Sequence, residues 1–130
     1  MKFSLIVAAS LVLTFSAAAN AADGDIHEKV IGVNDVYIPS GFDSQSDSFI
    51  VANGLFPHSC YKLKGADVEQ VGTSLHQVTL KANVTEGLCL TVMVPFHKEV
   101  QLGKLVVGDH SVRMMNGDGT YMEKHLVIEQ

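Results

Sequence analysis

Short runs in which apolar and polar residues alternate make up most of the chain after residue 21. The clearest run spans residues 75–84, where every second side chain is apolar or an imidazole and the others are polar. The first set is His76, Val78, Leu80, Ala82 and Val84. A period of two predicts a strand with one buried and one solvated face. No stretch keeps the helical period of 3.6 residues, so the pattern predicts an all-β protein.

Glycine, proline and polar turn residues divide the chain into eight predicted strands. These strands cover residues 34–38, 49–56, 60–64, 66–71, 75–84, 88–94, 110–116 and 121–129. The sequence Asn116-Gly117-Asp118-Gly119 predicts a hairpin between the last two, and a bulge is expected at Asn53-Gly54. Regularly spaced short strands of this kind are typical of an antiparallel β-sandwich.

One predicted strand, residues 88–94, is apolar on both faces and is therefore expected to be central in its sheet. Side chains alternate along a strand, so four aliphatic residues are expected to face the main core. These are Leu88, Leu90, Val92 and Val94. Cys89 is expected on the opposite face.

The first 21 residues have the three parts of an export signal: Lys2, an apolar stretch over residues 3–15, and the cleavage pattern Ala19-Asn20-Ala21. Their removal is expected during export to the periplasm or the exterior of a Gram-negative bacterium. No later apolar run approaches the ~20 residues of a transmembrane helix. Residues 22–32 are predicted to be a loose arm, and residues 33–130 a single β-sandwich domain.

Charge and motif content narrow the possible functions. The chain has 9 Lys and Arg against 14 Asp and Glu, a formal net charge of −5, and no basic run. These features argue against binding to nucleic acid or to anionic membranes. The chain contains no Gly-x-Ser-x-Gly, no His-Glu-x-x-His and no phosphate-binding glycine loop. We therefore expect neither an enzyme nor a bound cofactor.

The two cysteines, Cys60 and Cys89, both follow the predicted signal. An even number of cysteines in an oxidising compartment predicts a disulfide. This bridge is expected to hold the segment after Pro57 against the sheet. A nucleophilic thiol lacks an evident base, and a Cys₂His₂ metal site lacks the usual ligand spacing.

The second half of the chain carries the string Val100-x-Leu102-Gly103-x-Leu105, then Gly108-x-His110-x-Val112 and the Asn116-Gly117 turn. This string resembles the end of immunoglobulin-like and fibronectin-like β-sandwiches. Further upstream, Gly54-x-Phe56-Pro57-x-x-Cys60-Tyr61 and Cys89 look like a group of small, uncharacterised exported bacterial proteins. The resemblance covers residues 49–128 and implies an immunoglobulin-like sandwich of seven or eight strands.

His110 departs from the pattern of those sandwiches, which have a tyrosine at this position. The resemblance implies that this tyrosine packs its ring and ties down a neighbouring connection with its hydroxyl group. An imidazole is smaller and donates from one nitrogen. His110 is therefore expected either to do a reduced version of the same work or to leave that corner without a tie.

The expected function is a non-catalytic exported module that binds a protein or a glycan, with a protease inhibitor as one variant. Its candidate interaction surface lies in the loops and comprises Phe56, His58, Tyr61, Phe96 and His97. Core packing is the competing interpretation for the three aromatic rings. The alternative function is a periplasmic copper- or zinc-binding protein that uses His and Met side chains, with Met114 and Met122 able to meet across the last hairpin.

Overall fold

The computed structural model describes residues 24–130, and this part of the chain forms eight strands and no helix. In chain order the strands are β1 (Ile26–Ile31), β2 (Asp35–Tyr37), β3 (Ser48–Phe56), β4 (Tyr61–Val71), β5 (Leu75–Thr85), β6 (Val94–Gly103), β7 (Gly108–Met115) and β8 (Tyr121–Ile128). The predicted signal over residues 1–21 lies outside the described residues. Residues 24–130 contain no helix long and apolar enough to cross a bilayer.

The strands form two sheets, one of five strands and one of three. β5 is the centre of the larger sheet, and β4 pairs with it along one edge over its whole length. The other edge of β5 is shared end to end, because β1 pairs with residues 80–85 and β7 pairs with residues 75–79. β8 adds to β7, and the smaller sheet has the order β2-β3-β6.

The core lies between the two sheets and is built from alternate residues of the strands. β5 shows the predicted alternation, since every second residue from His76 to Ala82 is buried. Ile50 of β3, Leu80 of β5 and Met114 of β7 are almost fully buried. Burying one such side chain contributes about 1.5–3 kcal/mol. The predicted all-β sandwich with one disulfide is confirmed.

His110 ties down the connection between β6 and β7. Its side chain is 1% exposed, and its Nε2–H donates to the carbonyl oxygen of Val106 at 2.6 Å. On its other side, the Nδ1 atom lies 3.0 Å from Nε2 of His76, which is also buried. His110 therefore holds the neighbouring connection with one hydrogen bond, which is the first of the two outcomes expected for this position.

The N-terminal region corrects one prediction. The sequence predicts a loose arm over residues 22–32, whereas Ile26–Ile31 pair with β5 in a continuous antiparallel register. The sandwich therefore begins before residue 33. The alternation of apolar and polar residues is weak in β1, because most of this strand is exposed and only Ile31 is buried.

The strand after Pro57 also differs from the prediction. Residues 60–64 and 66–71 form one long strand, β4, because a shift of register between Leu63 and Gly65 absorbs the expected break. The bulge expected at Asn53-Gly54 is absent from β3, whose register with β6 shifts between Ser48 and Phe49 instead. The pairing of β5 with β7 is parallel, whereas all the other strand pairs are antiparallel.

Residues 88–94 give the largest correction. The expected central strand is a loop, and regular pairing resumes only at Val94, where β6 begins. Leu88 and Leu90, expected in the core, are 106% and 70% exposed. β5 already has neighbours on both edges, so the segment that follows it has no place beside it in the sheet.

Candidate functional site

Three aromatic residues of the predicted surface form a stack inside one end of the sandwich. The rings of Phe56 and Phe96 are 4.4 Å apart, and the ring of Tyr61 is 5.4 Å from that of Phe56. Phe56 and Phe96 are 5% and 6% exposed, so core packing, the competing interpretation, describes both rings. Gly54 makes the stack possible, because a Cβ atom at this position would overlap the Phe96 ring.

The two histidines of the predicted surface lie apart from each other in the fold. His58 is half-buried, with its ring edge-on to Tyr61 at 4.7 Å and its Nδ1 atom accepting the Cys60 N–H. His97 is exposed on the outer face of β6 and contacts Asn53 of β3 through Nδ1. The structure therefore brings His58 to the end of the aromatic stack and leaves His97 outside it.

The predicted disulfide between Cys60 and Cys89 is confirmed. It joins the residue before β4 to the loop after β5, so it closes the open end of this pair of strands. Both cysteines are partly exposed. The bridge does not pin the two sheets together, and it holds the segment after Pro57 as expected.

The most exposed apolar surface of this end is the segment 86–93, which we call the apolar loop. Four of its side chains are exposed to 50% or more, and these are Leu88, Leu90, Val92 and Met93. Exposed apolar side chains that occur singly are common, whereas several that lie close together usually mark a site of interaction.

The apolar loop is held in place at its middle. The Leu90 amide donates to Ser59 Oγ at 2.8 Å, and the Leu90 carbonyl accepts the Ser59 N–H at 3.1 Å. The Val92 N–H turns back to the Leu90 carbonyl at 2.9 Å, and the disulfide fixes the adjacent Cys89. The backbone is therefore anchored while the apolar side chains point to solvent.

The apolar run over residues 88–94 predicts a buried strand, so this exposed loop is not evident from the sequence pattern. The available signal was Cys89 itself. A bridge to Cys60, which lies three residues beyond Pro57, places the middle of the run at the end of the sheet and not inside it. A run of seven residues, six of them apolar, does not by itself separate a buried strand from an exposed loop.

A potential metal-ligand group occurs beside the apolar loop. In residues 24–130, the group of three metal-ligating side chains consists of His58, Cys60 and Cys89, whose ligand atoms lie within 4.8 Å of one another. The two sulfur atoms are bonded to each other, so neither is a thiolate, the form that binds metals. Met114 and Met122 do pair across the last hairpin, where Met114 is buried in the core.

A network of charges occupies the solvated face of the larger sheet. Lys64 and Lys81 both contact Glu28, and Lys81 also contacts Asp67 at 2.7 Å. Hydrogen bonds from Lys64 and Lys81 lower the pKa of Glu28, and the hydrogen bond from Lys81 lowers the pKa of Asp67. The same bond to Asp67 raises the pKa of Lys81. The charges satisfy one another, as is usual for an exposed network.

Comparison with known proteins supports the architecture. The family described as the ORF11 beta-sandwich domain matches residues 50–124, which is more than half of the chain. The matched span includes the apolar loop and both cysteines. No curated protein and no solved structure matches the chain. From the family match and the two-sheet fold, we conclude that the chain belongs to the ORF11 beta-sandwich domain family.

Proposed function

We propose that this protein is a non-catalytic, exported binding module that contacts another protein through the apolar loop. The observation that carries this proposal is the exposure of Leu88, Leu90, Val92 and Met93 on a backbone anchored by a disulfide and by Ser59. Each exposed aliphatic side chain costs free energy in water that contact with a partner recovers.

Anchoring favours binding because less conformational entropy is lost when the partner docks. A loose loop must be ordered on association, at about 0.5–1.5 kcal/mol for each immobilised side chain. The apolar loop already has its middle fixed at Cys89 and Leu90. It therefore has the physical properties of a preorganised contact element.

The composition of the apolar loop favours a protein over a glycan as the partner. From Leu88 to Met93 its exposed side chains are aliphatic or thioether apart from Thr91, which carries the one hydroxyl of this stretch. Sugars need many hydrogen-bonding groups, and the loop offers few. An apolar groove on another protein is a better match. Asp25, beside the loop, and Glu86, its first residue, are exposed, so a basic rim on the partner would complement them.

Export is part of the same proposal. The pattern of residues 1–21 supports a cleaved signal, and the Cys60–Cys89 bridge is what an oxidising compartment favours. The periplasm or the exterior of the cell is therefore the proposed place of action. The processed chain is expected in the periplasmic fraction. Its cysteines should not react with maleimide until the disulfide is reduced.

Site-specific crosslinking tests the binding role of the apolar loop. A photoreactive amino acid at position 90 is expected to give a discrete adduct in cells, and the same group at Val106 is expected to give none. The variant L88S/M93S should abolish the adduct, whereas V107S should not, because Val107 is an exposed apolar residue outside the loop.

The partner from the adduct is then purified and titrated against the protein. Loss of at least tenfold in affinity for L88S/M93S supports the proposal. Equal adducts at positions 90 and 106, or equal affinity for L88S/M93S and V107S, would contradict it. A crosslink to a second copy of the chain would contradict the proposal that the partner is another protein. If the partner is a protease, inhibition by wild type and not by L88S/M93S identifies the inhibitor variant.

Copper or zinc binding is the second candidate, and one observation favours it. His58, Cys60 and Cys89 place one imidazole and two sulfurs within 4.8 Å, and such ligands suit Cu(I) and Zn(II). The sulfurs become ligands only after the disulfide is reduced. Equilibrium dialysis of the oxidised and the reduced chain against each metal, with H58A as the control, tests this candidate. Equal uptake by both forms, or no uptake by either, would eliminate it.

A further inference from the structure

A groove opens between the two sheets beside the end of β3, and it is distinct from the apolar loop. Its volume is about 190 Å³. The strand β1 and its following residue form one wall, and the end of β3 and the start of β4 form the other. The lining residues are Lys29, Val30, Ile31, Gly32, Leu55, Phe56, Pro57 and Tyr61.

One side of this groove is a strand edge to which no described strand is paired. β2 pairs with β3 only over Val51–Asn53, and the Asn53 carbonyl accepts the Asn34 N–H at 2.8 Å. Backbone groups of a strand point to alternate edges, so Leu55 directs its N–H and C=O toward the same edge as Asn53. Because β2 begins at Asp35, opposite Asn53, it does not cover this edge at Leu55. Leu55 lines the groove.

The groove also contains a lysine without a carboxylate partner. Within residues 24–130, Lys29 makes no salt bridge, as is also true of Lys62, Lys98 and Lys104, whereas Lys64, Lys81 and Lys124 each make one or more. Of the lysines without a salt bridge, Lys29 is the one that lines the groove. The Lys29 Nζ donates to the Tyr61 hydroxyl oxygen at 3.3 Å. That hydroxyl keeps its own hydrogen for donation. An ammonium group and a hydroxyl group are thus adjacent at an apolar groove and both can donate to one anion.

We infer that this groove binds the carboxyl-terminal end of an extended apolar peptide segment from another protein. The peptide backbone pairs with the free edge at Leu55, as in strand addition to an open sheet. Its terminal carboxylate accepts from Lys29 and from the Tyr61 hydroxyl. Its last side chain rests on the apolar wall formed by Ile31 and Pro57.

Each of the three features selects one property of this ligand. The free backbone edge requires an extended main chain, and a sugar or a lipid headgroup has no such chain. The ammonium group of Lys29 and the adjacent Tyr61 hydroxyl favour an anion as the group bound there. The apolar wall requires a hydrophobic residue next to that anion. A carboxyl-terminal peptide end is the ligand that supplies all three together.

Fluorescence anisotropy with a defined probe tests this inference. The probe is a fluorescein-labelled pentapeptide of alternating valine and threonine that ends in leucine with a free carboxylate. The free-acid probe is expected to bind wild type with a dissociation constant below about 1 mM and the amidated probe about tenfold more weakly. In K29M the two probes should bind equally weakly, and Y61F should lose part of the selectivity.

K62M is the matched control, because Lys62 is an exposed lysine of β4 that does not line the groove. K62M should keep the full preference for the free acid. Methylation of the peptide nitrogen that would donate to the Leu55 carbonyl should weaken binding about tenfold. Amide shifts in the NMR spectrum should cluster at Lys29–Gly32, Leu55 and Tyr61.

Equal affinity of wild type for both probes, retention of selectivity by K29M, or no binding at about 5 mM would overturn the inference. Shifts that map to the apolar loop alone would do the same. The test is separable from the proposed function, because L88S/M93S leaves the groove unchanged and is expected to bind the probe as wild type does.

Discussion

The Nε2 atom of His76 lies 3.0 Å from the Nδ1 atom of His110 in the interior of the sandwich. The Nε2 atom of His110 faces the Val106 carbonyl at 2.6 Å and must carry a hydrogen to make that bond. The Nδ1 atom of a neutral His110 is then an acceptor, and the Nε2 atom of His76 is its donor. The contacts thus define the tautomer of both rings.

Acidification is expected to destabilise the fold through this pair. Burial, followed by the influence of His110, lowers the pKa of His76 from its ordinary value of 6.5. Below about pH 6.5 the unfolded chain therefore binds protons that the folded chain resists, so stability is full above this pH and declines below it. The slope for one proton is about 1.4 kcal/mol per pH unit.

Urea unfolding at pH 7.5, 6.5 and 5.5 measures this effect. The residues paired with His76 are Gln70 and Val112, and the residue paired with His110 is Leu126, none of which ionises. The double variant H76L/H110L should lose most of the dependence on pH between 7.5 and 5.5, whereas H125Q, at an exposed position, should keep it. A midpoint for wild type that does not change with pH would contradict this account.

The disulfide is expected to stabilise the fold and to order the apolar loop. The variant C60A/C89A should lose about 3.5 kcal/mol, because the bridge spans a separation of 29 residues and restricts the unfolded chain. Chemical denaturation measures the loss. Hydrogen exchange of the Leu90 amide should accelerate more than that of Leu80, and equal changes at both residues would show that the bridge has no local effect on the loop.

Substitutions in the apolar loop should leave stability unchanged, in contrast to those in the core. L88S is expected to shift the free energy of unfolding by less than about 0.5 kcal/mol, because Leu88 is fully exposed. L80A should cost about 2–5 kcal/mol, because Leu80 is fully buried. A loss for L88S comparable with that for L80A would mean that the loop packs against the domain.

Gly54 is expected to tolerate no side chain. G54A should cost about 1–3 kcal/mol, because the new Cβ atom would collide with the Phe96 ring, which is stacked on Phe56 and has no room to retreat. Gly65 is the control, since a Cβ atom there meets nothing within 4 Å. Thermal unfolding that shows equal melting temperatures for G54A and G65A would refute the packing argument.

The regular part of the fold could be predicted from alternation alone. The strand over residues 75–84 and the last hairpin have one buried and one solvated face, so apolar and polar residues alternate along them in the sequence. β1 could not be found in this way. Its residues are mostly exposed, with His27 and Lys29 at the positions opposite Val84 and Ala82, so polar residues occupy the face that the alternation rule assigns to the core.

The apolar loop could not be predicted because the deciding information lies elsewhere in the chain. The apolar residues on both faces of segment 88–94 are typical of a central strand. Their true position depends on whether an edge of β5 is free, and β1 and β7 from distant parts of the sequence fill that edge. Of the candidate surface predicted from the sequence, His58 and Tyr61 lie at the same end of the domain as the apolar loop, whereas Phe56 and Phe96 are buried.

The shared edge of β5 has a practical consequence for anyone who shortens the chain. β1 covers the stretch from Leu80 to Thr85, and β7 does not reach it. A version trimmed beyond Ile31 would leave bare backbone on the middle strand, and such backbone recruits strands from neighbouring molecules. Vectors and protease sites should therefore be designed to spare Ile26–Ile31, since fibrils or inclusion bodies are the foreseeable product of cutting it away.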